Sequence, residues 1–331
     1  MTRATRPVAP AERDGTLRPT AAGIDAPAVT PTAGPTAESA YRRWSHASDA
    51  DTLSGWSAHL EHDTVVVFLH GNGLCSRAYE PFLSRLSHPV GTLLIDLPGH
   101  GENPPEAAFR GWHAVADRVL ATCRHWHRAL PGKRWVLVGH SFGAAVAFDL
   151  MDRAPEHFSA AVLLDPAWFP PAMLAATWPL ERLNLLRFHA LARKTRQATA
   201  RWPDVSQTRT WLRGRSLYRG FDPGCLEAYL QYGFTADADG VRVRCPRDLE
   251  ADVFCTMPYH HPRVLRRLTV PTTVFSGRNT DSWFRRAGEV WPRWSPQIQH
   301  AWVPGRHTFM LDDPAGAAAS VSAALARAER Q

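Results

Sequence analysis

From Tyr41 onward the chain alternates short runs of continuous apolar character with longer stretches in which apolar positions recur at helical spacing. That rhythm predicts a largely parallel sheet covered by helices. Thr64–Leu69 and residues 92–95 are almost wholly apolar, as central strands buried on both faces should be. A helix over about 78–86 supplies the crossover between them, and residues 41–45 and 55–60 are candidates for short leading strands. The alternation continues with a helix over 112–130, a strand at 135–138, a helix at 142–152 and a strand at Ala160–Leu164.

Then the rhythm stops. Between Pro166 and about Arg267, Pro, Trp, Arg and Leu fall in helical patterns, and strands resume only at 272–275 and 299–303. The simplest account is a core of residues 41–165 and 268–331, with residues 166–267 inserted as a helical cap or lid over the sheet's C-terminal edge. The fold class expected is α/β, a mostly parallel central sheet flanked by helices. Residues 1–40, rich in Ala, Pro and Thr, lack the apolar stretch of a secretory signal and are expected to be a disordered tail.

The chain has 331 residues and a formal net charge of +7. Lys133 and Lys194 are the lysines, so the excess is arginine, and no run of five basic residues marks a nucleic-acid footprint. The five cysteines contain no CxxC pair and are expected to be reduced and mostly buried. No apolar run approaches the roughly 20 residues that cross a bilayer. A cytoplasmic protein acting on a small molecule, without nucleic acid or a membrane span, is the expectation; the oligomeric state is left open.

Three stretches carry chemistry. Gly139-His140-Ser141-Phe142-Gly143 lies between an apolar strand and an Ala-rich helix. There a serine in a strained turn is pushed out above the sheet, and its small flanking glycines avoid neighbouring backbone. The following helix turns free N–H groups toward any negative charge that develops. His70-Gly71-Asn72-Gly73 follows the strand at Thr64–Leu69, and the backbone N–H of Asn72 with that of Phe142 is the expected oxyanion hole; the Asn72 side chain is a candidate helper. His307 stands in a loop between the last strand and a C-terminal helix, a placement that suits a general base.

The imidazole needs a carboxylate on its second nitrogen, and two candidates are open. Asp281 follows the strand at 272–275 and is the first choice; Asp165 ends the strand at Ala160–Leu164 and is the alternative. Either could equally be a helix cap or a turn aspartate, Asp165 standing before Pro166. In the insertion, Trp168, Phe169, Trp178, Leu183 and Trp211, with Gly73 of the loop, are candidates for an apolar substrate pocket, or else pack the cap onto the core. Arg182, Arg187, Arg193 and Arg196 read most simply as a solvated helix face.

His70-Gly71-Asn72-Gly73, Asp96-Leu97-Pro98-Gly99-His100-Gly101, the serine motif, Leu164-Asp165-Pro166 and Pro304-Gly305-Arg306-His307 resemble the α/β-hydrolase superfamily, and within it the bacterial esterase/lipase-like serine hydrolases. The resemblance implies the α/β-hydrolase fold, a nucleophile elbow at Ser141, a Ser-His-Asp triad and no cofactor. It casts the stretch 96–101 as a structural turn rather than giving His100 a catalytic role. Three departures stand out: Asp281 comes one residue after the usual acid position, which Thr280 occupies; Asn103 replaces a frequent serine; and a second glycine before His307 is missing. A serine at the elbow argues against epoxide hydrolases and haloalkane dehalogenases, which use a carboxylate nucleophile. Hydrolysis of a carboxylic ester is the expected reaction. C–C bond or thioester hydrolysis, acyl transfer, a haloperoxidase side activity and a non-catalytic binding protein of the same fold are the alternatives.

Overall fold

The continuous apolar runs become the middle of an eight-stranded sheet. In the structure, a computed structural model that describes residues 40–48 and 51–330, the sheet comprises β1 (Arg42–Ser48), β2 (Asp51–Ala58), β3 (Thr64–Leu69), β4 (Gly91–Ile95), β5 (Arg134–His140), β6 (Ala160–Leu164), β10 (Thr272–Gly277) and β11 (Ile298–Val303). Their order across the sheet is β1-β2-β4-β3-β5-β6-β10-β11. β1 pairs antiparallel with β2, and β2 antiparallel with β4; every later pair is parallel. The tail expected over residues 1–40 falls almost wholly outside the described residues.

Alternation along β3 divides the core. Val65, Val67 and Leu69 face a layer that includes α2 (Trp112–Ala129) and α3 (Phe142–Arg153). Val66 and Phe68 face α1 (Glu80–Leu83), the C-terminal α12 (Pro314–Ala328) and part of the insertion. Both sets are fully buried, which is why β3 reads as an unbroken apolar run rather than an alternating one.

The insertion holds α4 (Pro171–Arg182), α5 (Ala190–Arg196), α6 (Val205–Arg213), α7 (Pro223–Tyr232), α8 (Arg247–Val253) and α9 (His261–Arg267). It is not purely helical, as the sequence pattern suggested. β7 (Arg201–Trp202), β8 (Phe234–Asp237) and β9 (Gly240–Val243) form a small antiparallel sheet in the order β7-β9-β8. The β8–β9 hairpin turns at Ala238-Asp239, ahead of Gly240 at φ +112, and these strands are too short and too charged to leave a periodic signal. After β10 come α10 (Ser282–Val290) and, beyond β11, α11 (Phe309–Asp312). Among the described residues no helix is long and apolar enough to cross a membrane, and the five cysteines are free thiols, all but Cys255 buried.

Phe68 stands at the centre of this packing, with ring centroids 4.7 Å from Tyr79 and 6.4 Å from Phe82. Phe68→Ala should lower the unfolding free energy by about 3–5 kcal/mol, read as a lower urea midpoint at unchanged slope.

Candidate active site

β5 ends in Ser141, whose backbone takes φ 52 and ψ −111 before α3 begins. A non-glycine residue avoids that region unless its surroundings hold it there. Here they do: the Ser141 N–H donates to the Leu164 carbonyl at 3.0 Å, and the Ser141 carbonyl accepts from Ala145 at 3.1 Å. Gly143 shows why the motif needs its second glycine. A Cβ there would lie 2.3 Å from the Leu69 carbonyl oxygen and 2.6 Å from that of His70, so the first turn of α3 is pressed against the end of β3.

The Ser141 hydroxyl donates to His307 Nε2 at 2.9 Å, and His307 Nδ1–H donates to Asp165 Oδ2 at 2.6 Å. These partners fix the imidazole's tautomer. Asp165 is fully buried, stands directly after β6 at φ 41, and its Oδ1 accepts the Gly277 N–H at 3.1 Å. Its Oδ2 also accepts the Thr280 hydroxyl. The His307 ring stacks on Phe284 with centroids 4.9 Å apart.

The first choice of carboxylate is therefore corrected: the structure brings Asp165, not Asp281, to the imidazole. β6 lies directly beside β5, and His140 and Leu164 are register partners, so Asp165 leaves the sheet level with Ser141. Asp281 instead is exposed at the N-terminus of α10. The usual acid position holds Thr280, which turns its hydroxyl onto Asp165. The sequence carried that signal as a threonine where an aspartate was expected.

The loop after β3 is held from several sides. His100 Nε2 accepts the Gly73 N–H at 3.1 Å, and the Gly73 carbonyl accepts the Tyr229 hydroxyl at 2.8 Å. The Asn72 side chain is occupied: its Nδ2 donates to the Glu250 carbonyl at 2.9 Å. That leaves its backbone N–H, with that of Phe142 in the first turn of α3, as the groups to consider for an oxyanion; first-turn N–H groups have no partner within their own helix. Asp96 accepts the N–H groups of Ser76 and Glu102, and Asn103 bridges Ser54 to the Asp96 carbonyl, so the stretch 96–103 is a buried turn.

The aromatic candidates separate. Phe169 packs on Phe284 at 5.7 Å and so lies near His307. Trp168 is buried against Phe148 and Trp291. Trp178 and Leu183 are exposed, with Arg182 over the Trp178 ring. Trp211 packs on Trp202, and the guanidinium of Arg215 lies over its ring.

Two residues without any local sequence signal connect these parts. The Gly71 N–H donates to the Tyr79 hydroxyl at 3.1 Å, which donates to His140 Nδ1 at 2.6 Å. His140 Nε2–H in turn donates to the His307 carbonyl at 3.0 Å. Burial, with the His307 ring nearby, holds the His140 imidazole well below its usual range, so it stays neutral with one donor and one acceptor.

Gly143→Ala should lower Tm, because the added methyl meets backbone that cannot move aside; about 1–3 kcal/mol of destabilisation is expected from overpacking, and calorimetry reads it. A second expectation concerns acid. Burial pushes the imidazoles of His70 and His100 from 6.5 down to about 4 and about 3. The fold thus favours their neutral forms, a contribution complete above about pH 6.5 and lost as pH falls toward those values. Each imidazole adds a slope on the order of 1.4 kcal/mol per pH unit in that window. Denaturant titrations from pH 6.5 to pH 4.5 should record it, and His100→Gln should flatten it.

Comparison with known proteins places the chain among hydrolases of this fold. A 103-residue stretch is 33% identical to a putative non-heme haloperoxidase of Mycobacterium phage D29, covering 31% of this chain and 36% of that protein. A 240-residue stretch is 30% identical to a pimeloyl-[acyl-carrier protein] methyl ester esterase of Nitrosomonas europaea, covering 67% of this chain and 81% of that protein. The crystal structure of E-2-(acetamidomethylene)succinate hydrolase superposes with a TM-score of 0.69 at 19% identity, over 88% of this chain and 100% of that one, and so shares the fold. The family model described as "Alpha/beta hydrolase family" matches residues 66–320, and the chain belongs to that family.

Proposed function

We propose that the protein hydrolyses a carboxylic ester through an acyl-enzyme, with Ser141 as nucleophile, His307 as general base and Asp165 as the acid that orients it. The observation carrying this reading is the relay Ser141 Oγ–H to His307 Nε2 at 2.9 Å and His307 Nδ1–H to Asp165 at 2.6 Å. As Ser141 Oγ bonds to the acyl carbon, its proton passes to His307 Nε2 and the carbonyl oxygen becomes an oxyanion. The backbone N–H groups of Asn72 and Phe142 stabilise that charge. Collapse expels the alcohol, which takes the proton from His307. Water then attacks the acyl carbon, gives a proton to the same nitrogen, and the acid leaves as Ser141 recovers its own. Every step uses groups of this chain and one water molecule.

Residues 166–267 act as the cap that shapes the site. Phe169 on Phe284, and the bonds from Tyr229 and Glu250 to the loop at Asn72-Gly73, support this role. The named activity of the Nitrosomonas europaea relative favours an oxygen ester over the C–C, thioester and acyl-transfer alternatives.

p-Nitrophenyl esters of graded chain length, run beside an acyl thioester and a β-diketone, test the reaction. The oxygen esters should turn over fastest, and a fluorophosphonate should label Ser141. Asp165→Asn should cost roughly 10³–10⁴-fold in kcat, by analogy with other triads, and Asp281→Asn less than about twofold. A fully active Asp165→Asn protein, or folded protein that resists the label, would defeat the proposal.

A further inference from the structure

Away from Ser141, on the side of α3 that faces α2 and α9, lies a second cluster that the hydrolytic reading does not use. Asp149, seven residues into α3, is about 1% exposed. Three imidazoles from two other elements converge on its carboxylate. His260, at the N-terminus of α9, hydrogen-bonds Oδ1 through Nε2. His261 brings its Nε2 to 3.2 Å from the same oxygen. His113, the second residue of α2, holds its Nδ1 4.0 Å from Oδ2.

The polar accounting of this cluster does not close within the protein. Asp149 Oδ2 is buried without a hydrogen-bond partner, and so is His261 Nδ1. A buried carboxylate oxygen or imidazole left unpaired costs on the order of 1–3 kcal/mol, and the apolar surroundings, Phe148 and Trp112 against the His261 ring, offer no replacement. One cation would satisfy the Asp149 carboxylate. Donor atoms of His113, Asp149 and His260 lie within 4.8 Å of one another. A metal at bond lengths of about 2.0–2.2 Å would replace the His260–Asp149 hydrogen bond and draw in His113, whose side chain is 67% exposed.

We infer that His113, Asp149 and His260 form a binding site for a divalent transition metal of the zinc, cobalt or nickel class, with solvent at the exposed edge completing the coordination. Imidazole nitrogens with a single carboxylate select those ions over calcium or magnesium, which prefer sets made of oxygen. The exposed edge at His113 gives the ion its way in. The site joins the first turn of α9, where the insertion returns to the core, to the helix whose first turn holds Ser141. A bound ion is a clamp on the base of the insertion, and its ligands lie apart from Ser141, His307 and Asp165.

The test uses untagged, metal-stripped full-length protein, titrated with Zn²⁺ against a chromogenic chelator, with Co²⁺ absorption as a report on geometry. The wild type should take up one equivalent and give intense visible Co²⁺ bands of a tetrahedral site. Its Tm should rise by roughly 5 °C at zinc about a hundredfold above Kd. His113→Gln, a surface change that leaves the fold intact, should weaken binding at least tenfold, and so should Asp149→Asn. The exposed group His59, Glu61 and His62 is the competing location, so His59→Gln should leave binding unchanged. Absence of stoichiometric uptake by the wild type, equal affinity in His113→Gln, or loss of the metal with His59→Gln would each overturn the site. None of these readouts uses turnover, so they stand or fall apart from the ester-hydrolysis reading.

Discussion

The arrangement of the site depends on one close approach of backbone to backbone, where Gly143 meets the carbonyl oxygens of Leu69 and His70. That contact leaves room for no side chain. It fixes the start of α3 against the end of β3, and the bend at Ser141 follows because β5 must turn sharply to enter a helix so placed. The same contact sets the loop at His70–Gly73 beside the first turn of α3, so the serine hydroxyl and the N–H groups facing it are positioned by one constraint rather than by separate ones. The strain at Ser141 is held by bonds to Leu164 at the end of β6 and to Ala145 in α3.

Much of this was legible in the chain because it rests on local pattern. The buried strands are continuous apolar runs, and the elbow is a short string whose glycines have a steric reason. His307 is marked by its place after the last strand. What the pattern missed depends on which elements become neighbours. Asp165 and Asp281 both follow strands, and only the sheet order, with β6 lying between β5 and β10, brings the first level with Ser141. Thr280 held the missing information in a form that points to Asp165 once its hydroxyl is seen there. The small sheet of the insertion escaped because its strands are two to four residues long, below the length at which alternation can be distinguished from a helix.

Tyr79 and His140 belong to the illegible part for another reason. Neither has a neighbour in sequence that announces its partner; the Tyr79–His140 bond spans 61 positions and the His140–His307 bond 167. Burial gives these bonds their directional meaning. An imidazole held neutral can donate through one nitrogen and accept through the other, and His140 does both, reaching the loop after β3 through Tyr79 and the loop after β11 through the His307 carbonyl. A protonated ring at the same position would offer two donors and no acceptor. The Tyr79 hydroxyl would then meet a donor and lose the acceptor of its own proton, so the tie between the two loops would have to reverse at its middle.

The insertion enters the same system through backbone carbonyls. Tyr229 donates to Gly73, and Asn72 donates to Glu250. Arg306, next to His307, places its guanidinium on the Leu217 carbonyl at 2.9 Å while pairing with Asp312 at 2.7 Å. Apart from the Arg306–Asp312 pair, each bond has one end in the insertion and the other in a loop that carries a group of the site. Displacing the insertion as a body would strip partners from Gly73, Asn72 and Arg306 at once, and buried polar groups left unpaired are costly. The position of the insertion and the geometry of both loops are therefore coupled.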